Sequence, residues 1–407
     1  MTINNKPFAF QAMAKPIGAT CNLNCTYCYY LEKQKLYKDS GSLKMSEELL
    51  EKFIKQYIAV QQVPVIQFVW QGGEPTLLGI DYFKNVLELQ KKHSSGKKIE
   101  NAFQTNGTLL NDEWCSFFKK NNFLVGISID GPKHVHDLHR PFRNGTASFE
   151  KVMNGISLLQ KHKVDFNTLT VIHRYNAHFA TDIYNFLKLT GSGFIQFIPI
   201  VERIKKNPEP ETLNLVGPDD QDALLTEWSV RPDDYGNFLI SVFNEWVRQD
   251  VGKVFVQQFD ATLANWVGES PGICVFSETC GDAIIVEHNG DVYSCDHFVY
   301  PGYKLGNINE RTLFGLVKSE KQQEFGSKKL NNLPHQCISC EYRFACHGEC
   351  PKHRFTKTAN GDSGLNYLCN AYKKFFTHVH PYMQFMSDEL KANRPPSNIM
   401  NWVQHNQ

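Results

Sequence analysis

Three cysteines within residues 18–30, GATCNLNCTYCYY, constrain this chain more than any other feature. Cys21, Cys25 and Cys28 follow the spacing C-x3-C-x2-C, with Tyr27 just before the last thiol. Three soft thiolates this close can wrap one metal centre but cannot complete a four-thiolate site. For a [4Fe-4S] cube, which takes four cysteines, that leaves one iron open for a substrate or cofactor. The competing reading is a structural zinc knuckle completed by a distant cysteine or histidine, although zinc sites favour paired C-x2-C ligands.

A chain of 407 residues is expected to hold two or three domains and to bury a sizeable core. Lys and Arg number 43 against 42 Asp and Glu, so the composition suggests neither a generic nucleic-acid binder nor an anionic-membrane binder. No apolar run approaches the roughly 20 residues that span a bilayer. The start, MTINNKPFAF, lacks a basic-then-apolar signal pattern, so a cytoplasmic location is the expectation. In a reducing cytosol twelve cysteines read as metal ligands before disulfides. They fall at 21, 25 and 28, at 115, and then at 274, 280, 295, 337, 340, 346, 350 and 369. A cysteine-poor middle therefore separates an N-terminal metal loop from a C-terminal cysteine field.

From residue 8 to about 200 the pattern alternates strand and helix. Strands are expected over 6–19, 63–70, 100–104, 123–130, 166–172 and 194–199. Helices are expected from a cap at Ser46, over 81–93, from a cap at Asn111, and over 148–162 and 181–190. Six βα units imply an α/β fold with a parallel sheet and outer helices, too few for a closed eight-stranded barrel. The expected architecture is a partial (β/α)6 barrel whose open side admits a peptide. Residues 202–230 read as a polar, Pro-rich loop or insertion, and 232–250 as an amphipathic helix. Over 272–370 the helical period gives way to cysteines, glycines and turns, the pattern of a small domain held by metal rather than by a core. The tail reads as a helix over 371–393 interrupted at Pro381, with the last dozen residues polar and surface-lying. The expected division is 1–231 for the barrel, 232–271 for a connecting helix and linker, 272–370 for the cysteine domain and 371–407 for the C-terminal helix and tail.

In such a barrel the chemistry lies at the carboxyl ends of the strands. After strand two comes Gln71-Gly72-Gly73-Glu74-Pro75, where glycines let backbone approach a ligand and Glu74 can meet an ammonium group; alone it is equally a tight turn. Thr105-Asn106-Gly107 follows strand three and Ser128-Ile129-Asp130-Gly131 follows strand four. Strand six runs out through Pro199-Ile200-Val201. Polar residues end many strands, so it is their common location that carries weight.

With the cysteine triplet, these motifs resemble those of the radical S-adenosylmethionine (SAM) enzymes. That resemblance implies a cluster whose open iron is chelated by SAM. It places Tyr27 beside the cofactor, gives the SAM amino group to Gly72, Gly73 and Glu74, and gives its carboxylate to Ser128 and Arg140. Val201 would lie against adenine. The C-terminal field, Cys280-x9-Gly290-x4-Cys295 followed by Cys337-x2-Cys340-x5-Cys346-x3-Cys350 and Cys369, resembles the SPASM extension, which carries two auxiliary [4Fe-4S] clusters. A four-cysteine zinc ribbon is the alternative for the 337–350 segment. Three thiols for the SAM cluster and four for each auxiliary cluster make eleven, leaving Cys115 as a small core residue.

From about Lys15 to Tyr372 the chain is similar to the anaerobic sulfatase-maturating enzymes, on CNLNCTYCYY, FVWQGGEPTL, QTNGTL, GISIDGPK, GDVYSCD and LGNI. The resemblance implies oxidation of a Cys or Ser in a sulfatase to Cα-formylglycine through a 5′-deoxyadenosyl radical. It assigns one auxiliary cluster to Cys274, Cys280, Cys295 and Cys350, and the other to Cys337, Cys340, Cys346 and Cys369. It makes Asp296 the proton acceptor, where a turn aspartate is the alternative. The implied partners are an unfolded or nascent sulfatase polypeptide carrying C/S-x-P/A-x-R and an electron donor such as a flavodoxin or ferredoxin, with no nucleic acid and no membrane. The auxiliary clusters read equally as an electron sink or as structural supports. Another SPASM enzyme forming thioethers or side-chain crosslinks, and a non-catalytic iron–sulfur or zinc protein, are the competing classes.

Overall fold

The computed structural model describes residues 7–38, 43–220 and 222–405; Lys6, the start of the first expected strand, lies outside them, as do the last two residues of the tail. Six strands follow one another in chain order and lie side by side: β1 (Gln11–Lys15), β2 (Val65–Trp70), β3 (Lys98–Thr105), β4 (Leu124–Ser128), β5 (Phe166–Ile172) and β6 (Phe194–Pro199). Every neighbouring pair among them is parallel, so all six carboxyl ends point the same way. The sheet does not close on itself: β10 (Phe255–Val256) extends it beyond β6, and β11 (Ala283–Glu287) extends it beyond β1. This is the partial (β/α)6 barrel expected from the alternation.

The helices form where caps and periodicity put them. In α1 (Glu47–Val60) the Ser46 hydroxyl accepts from the Leu49 N–H, and Leu49, Leu50, Phe53, Ile54, Tyr57 and Ile58 are the buried face. The Asn111 side chain caps α3 (Asp112–Lys120) by accepting from the Trp114 N–H at 2.9 Å. Between them lies α2 (Ile80–His93); α5 (Phe149–Lys161) and α6 (Ala180–Leu189) complete the outer layer. A short helix not foreseen, α4 (Lys133–His139), follows β4. Its exit pins the cysteine loop: the Asn24 N–H donates to the Pro141 carbonyl and the Thr26 N–H to the His139 carbonyl, both at 2.9 Å.

Other expectations need correction. The first strand is shorter than 6–19, because Pro16 lacks an N–H and Gly18 turns the chain at φ +54°. The 202–230 insertion carries its own antiparallel sheet, β7 (Arg203–Lys205) flanked by β8 (Leu215–Val216) and β9 (Ala223–Leu225). The cysteine-rich segment is not separate from the main core: β11 pairs with β1 over all five of its residues, and β12 (Asp291–Tyr293) and β13 (Lys304–Asn307) continue the same sheet antiparallel. Phe276, Ile284, Val286, Val292 and Leu313 join the barrel's apolar cluster. Segments too short for an amphipathic period hid this pairing.

Following the insertion, α7 (Pro232–Gln249) and α8 (Gln257–Val267) pack against the C-terminal helix Cys369–Lys391. That helix is continuous through Pro381, since the packing of Phe375, Phe376, Val379, Met383 and Met386 outweighs the one backbone hydrogen bond a proline removes. The end of the chain is not simply polar surface either. Helix Ile399–His405 buries Ile399 and Val403 and packs on α7.

Candidate active site

The carboxyl ends of the barrel strands and the cysteine segment enclose a cleft of about 220 Å³. Cys21, Cys25, Cys28 and Tyr27 line it from the loop after β1, Gly72 and Gly73 from the turn after β2, and Ser128 and Arg140 from β4 and beyond. Val201 and Glu202 line it from the end of β6, and Asp296, His297 and Lys352 from the cysteine segment. Residues distributed over most of the sequence thus share one space.

The cysteine loop is held from several sides. Gly73 donates to the Gly18 carbonyl at 2.7 Å, and a Cβ at Gly73 would meet the Thr20 carbonyl oxygen at 1.9 Å. The glycine therefore serves backbone-to-backbone packing against the metal loop. Glu74 braces the turn from below. Its fully buried carboxylate accepts from the Thr76 N–H and hydroxyl at 3.0 and 2.6 Å, from the Thr105 hydroxyl at 2.8 Å and from the Asn106 N–H at 2.7 Å. It clamps the β2 and β3 turns together and does not line the cleft. Asn106 in turn donates to Asn22 beside Cys21.

Opposite the thiols, Tyr27 donates to Asp130 at 2.5 Å and accepts from the Arg140 Nη1 at 2.9 Å. Arg140 is buried and its Nε has no partner, free donor capacity of the kind that a carboxylate takes up. Gln104 donates to the Ser128 hydroxyl at 3.0 Å, turning it to the same side of the sheet. A carboxylate-bearing cofactor such as SAM fits this donor set.

None of the twelve cysteines is paired in a disulfide. Burial pushes Cys21 up to about 11 and Cys25 up to about 12, so only a bound metal would hold them as thiolates at neutral pH. Cys337, Cys340, Cys346 and Cys369 line one cavity of their own. Burial raises the Cys295 thiol, and Cys274 and Cys280 lie near enough to add to it; burial likewise raises Cys350, with Glu349, Cys295 and Cys274 adding to it. The eight C-terminal thiols thus fall into two groups of four. Among the described residues no three His, Cys, Asp or Glu side chains converge closely enough for a single metal ion. Cys115 lies apart, buried in α3 against the barrel core.

Asp296 sits where the two halves of the cleft meet. The Lys15 ammonium lies 2.5 Å from its Oδ1, and Tyr29 donates its hydroxyl to Oδ2. Burial raises the Asp296 carboxyl, but Lys15, His297 and the Tyr29 hydrogen bond outweigh it and hold the pKa below the usual range. Lys15 also donates to Gln71 Oε1 at 3.0 Å and stands 4.1 Å over the Tyr30 ring. Lys352 pairs with Glu202 and lies 4.9 Å from the Tyr29 ring centre. Lys15, Tyr29, Glu202 and Lys352 do not stand out in the sequence. The only signals are a lone lysine ending a strand of small apolar residues and a tyrosine directly after Cys28.

Two family models match: the radical SAM superfamily over residues 16–187 and an iron-sulfur cluster-binding domain, SPASM, over residues 274–341. A serine-type anaerobic sulfatase-maturating enzyme of Bacteroides thetaiotaomicron is 52% identical over 396 residues, 97% of this chain and 95% of that protein. This chain belongs to the anaerobic sulfatase-maturating enzymes. A cysteine-type sulfatase-maturating enzyme of Clostridium perfringens is 33% identical, covering 93% of this chain and 98% of the relative. A solved structure, native anSMEcpe with bound AdoMet and a Cp18Cys peptide, superposes with a TM-score of 0.81 at 32% identity, covering 93% of this chain and 99% of that one. As a sulfatase-maturating enzyme the chain is a radical SAM enzyme that works with SAM and three [4Fe-4S] clusters and acts on a peptide substrate.

Proposed function

We propose that this enzyme oxidises a serine of a sulfatase polypeptide to Cα-formylglycine, with Asp296 as the base that takes the hydroxyl proton. The observation that carries the reading is the shared cleft: the Asp296 carboxylate faces the same space as Cys21, Cys25 and Cys28. When bound, the cluster and SAM supply the one-electron chemistry that removes a hydrogen atom from the substrate Cβ. The chain's own residues supply the rest. Backbone at Gly72 and Gly73 receives the SAM amino group, Ser128 and Arg140 its carboxylate, and Val201 packs on the adenine, while Tyr27 and Asp130 hold the guanidinium in place. Lys15 and Tyr29 keep Asp296 ionised and fix its two oxygens, so remaining lone pairs are available to a substrate hydroxyl. Cys274, Cys280, Cys295 and Cys350 hold one auxiliary cluster, and Cys337, Cys340, Cys346 and Cys369 the other.

Serine is preferred to cysteine because the 52% identical relative is named serine-type. The substrate carries a C/S-x-P/A-x-R segment in an unfolded or nascent chain, and a flavodoxin or ferredoxin supplies the electron. The 33% identical cysteine-type relative supports a second reading, in which cysteine peptides are the substrate. Mass spectrometry of matched Ser and Cys peptides, after anaerobic incubation with SAM and reductant, separates the two. Faster loss of two hydrogens from the Ser peptide supports the serine reading, and faster aldehyde formation from the Cys peptide favours the second.

A further inference from the structure

Cys295, Asp296 and His297 are consecutive, and the third has a contact that the reaction scheme leaves unused. His297 places its Nδ1 3.7 Å from the Sγ of Cys350. We propose that His297 is a positioning residue that donates an N–H···S hydrogen bond to Cys350 and thereby raises the reduction potential of the cluster on Cys274, Cys280, Cys295 and Cys350. This rests on the reading of those four thiols as one ligand set.

A ligating thiolate only accepts, so the proton on this contact belongs to His297 Nδ1. Hydrogen bonds to cluster sulfurs stabilise the more reduced, more negative state and raise the potential. Packing holds the imidazole in this orientation, since Tyr29 stands edge-on to it at 5.9 Å and Cys350 is buried. The other group of four has a different contact, the Gln336 Nε2 at 3.9 Å from Cys369 Sγ in an exposed setting. The imidazole therefore distinguishes one set of thiols from the other. Its place suits the second half of the oxidation. After Cβ loses its hydrogen atom, the substrate radical must give up one electron while its hydroxyl proton passes to Asp296, and C–O becomes C=O. A [4Fe-4S] cluster held by these thiols would balance that electron by passing from the 2+ to the 1+ state, and Cys295 would place such an acceptor next to the base in the chain. By raising the potential, His297 makes this cluster the easier one to reduce.

The test is an EPR-monitored redox titration of the fully reconstituted chain without substrate, comparing wild type with His297→Phe and His297→Gln. The expected result is that one midpoint potential falls in His297→Phe, the others stay, and His297→Gln restores most of the shift through its amide N–H. Unchanged potentials in a His297→Phe protein with full iron overturn the proposal. If His297→Phe loses iron, the decision passes to wild type labelled with 15N-histidine. A histidine nitrogen coupling to one reduced cluster, absent in His297→Gln, supports the hydrogen bond, and no coupling in wild type overturns it. Neither readout involves formylglycine, so a failure here is distinct from a failure of the proposed reaction.

Discussion

Lys15, the last residue of the first barrel strand, is buried and forms an ion pair with the half-buried Asp296, which follows β12, the strand next to β11. The pair joins the half of the cleft that carries the SAM-cluster thiols to the half that carries the base. Removing Lys15 leaves the half-buried Asp296 carboxylate without its cation. In Lys15→Met the depressing influence on Asp296 is lost, its pKa rises, and the fraction ionised at a given pH falls. Formylglycine production should drop while SAM cleavage continues, and raising the pH should recover part of the loss. Assaying 5′-deoxyadenosine and formylglycine side by side across pH checks this; a variant with the wild-type pH profile would remove Lys15 from the base's machinery.

Cluster stoichiometry can be read from iron. Replacing Cys21, Cys25 and Cys28 together by Ala should remove about four of twelve irons and abolish SAM cleavage. Cys115→Ala should keep all the iron, because that thiol is enclosed by the α3 and barrel core. Four irons lost with Cys115 would mean that the ligand sets are drawn wrongly.

Lys33 offers a stability test. Its ammonium is buried, without a hydrogen-bond partner, 3.6 Å from the Tyr300 ring centre, and burial lowers its pKa from 10.5 to about 8. The unfolded chain keeps that proton up to 10.5, so below about 8 the folded state bears the full cost, and between the two values wild-type stability rises with pH. Lys33→Met should therefore be more stable near neutral pH by about 3 kcal/mol, from the shift at 1.36 kcal/mol per unit. The gain should shrink toward pH 10. Urea melts at both pH values decide it; a gain that does not shrink with pH would have another origin.

Iron should order only part of the cysteine domain. β11 to β13 belong to the barrel's sheet and core, whereas the segment from Leu333 to Leu368 folds around thiols with short helices and a two-stranded ribbon. Limited proteolysis of iron-free protein should cut first within 333–368 and spare 283–307. Equal protection of both would contradict this division.

Much of this is legible in the sequence, and the limits have physical causes. The capped, amphipathic α1 and the strands β5 and β6 follow from periodicity alone, because one face of each is buried in a regular pattern. The cysteine spacing announces the metal chemistry. The parallel pairing of β1 with β11 is not legible, since five-residue strands far apart in the chain carry no mutual signal. For the same reason the partners of Asp296 stay hidden: Lys15 and Tyr29 acquire their role only when that pairing brings the cysteine domain against the barrel mouth. The clamp made by Glu74 is likewise hidden, because a turn after a strand shows which residues are near a ligand, not which way a carboxylate points. Its lone pairs go to Thr76, Thr105 and Asn106.

The most direct measurement is the Asp296→Asn variant assayed with a serine peptide, because it separates radical generation from substrate oxidation. Asn preserves the shape and removes the base. The variant should keep its iron and still produce 5′-deoxyadenosine, while formylglycine falls by about 10²-fold or more, the scale of a lost general base. The serine peptide is the strict substrate, since a thiol is acidic enough for solvent to assist. A normal yield of formylglycine from that peptide, with the cluster iron intact, would contradict the role of Asp296 and reduce it to a turn residue.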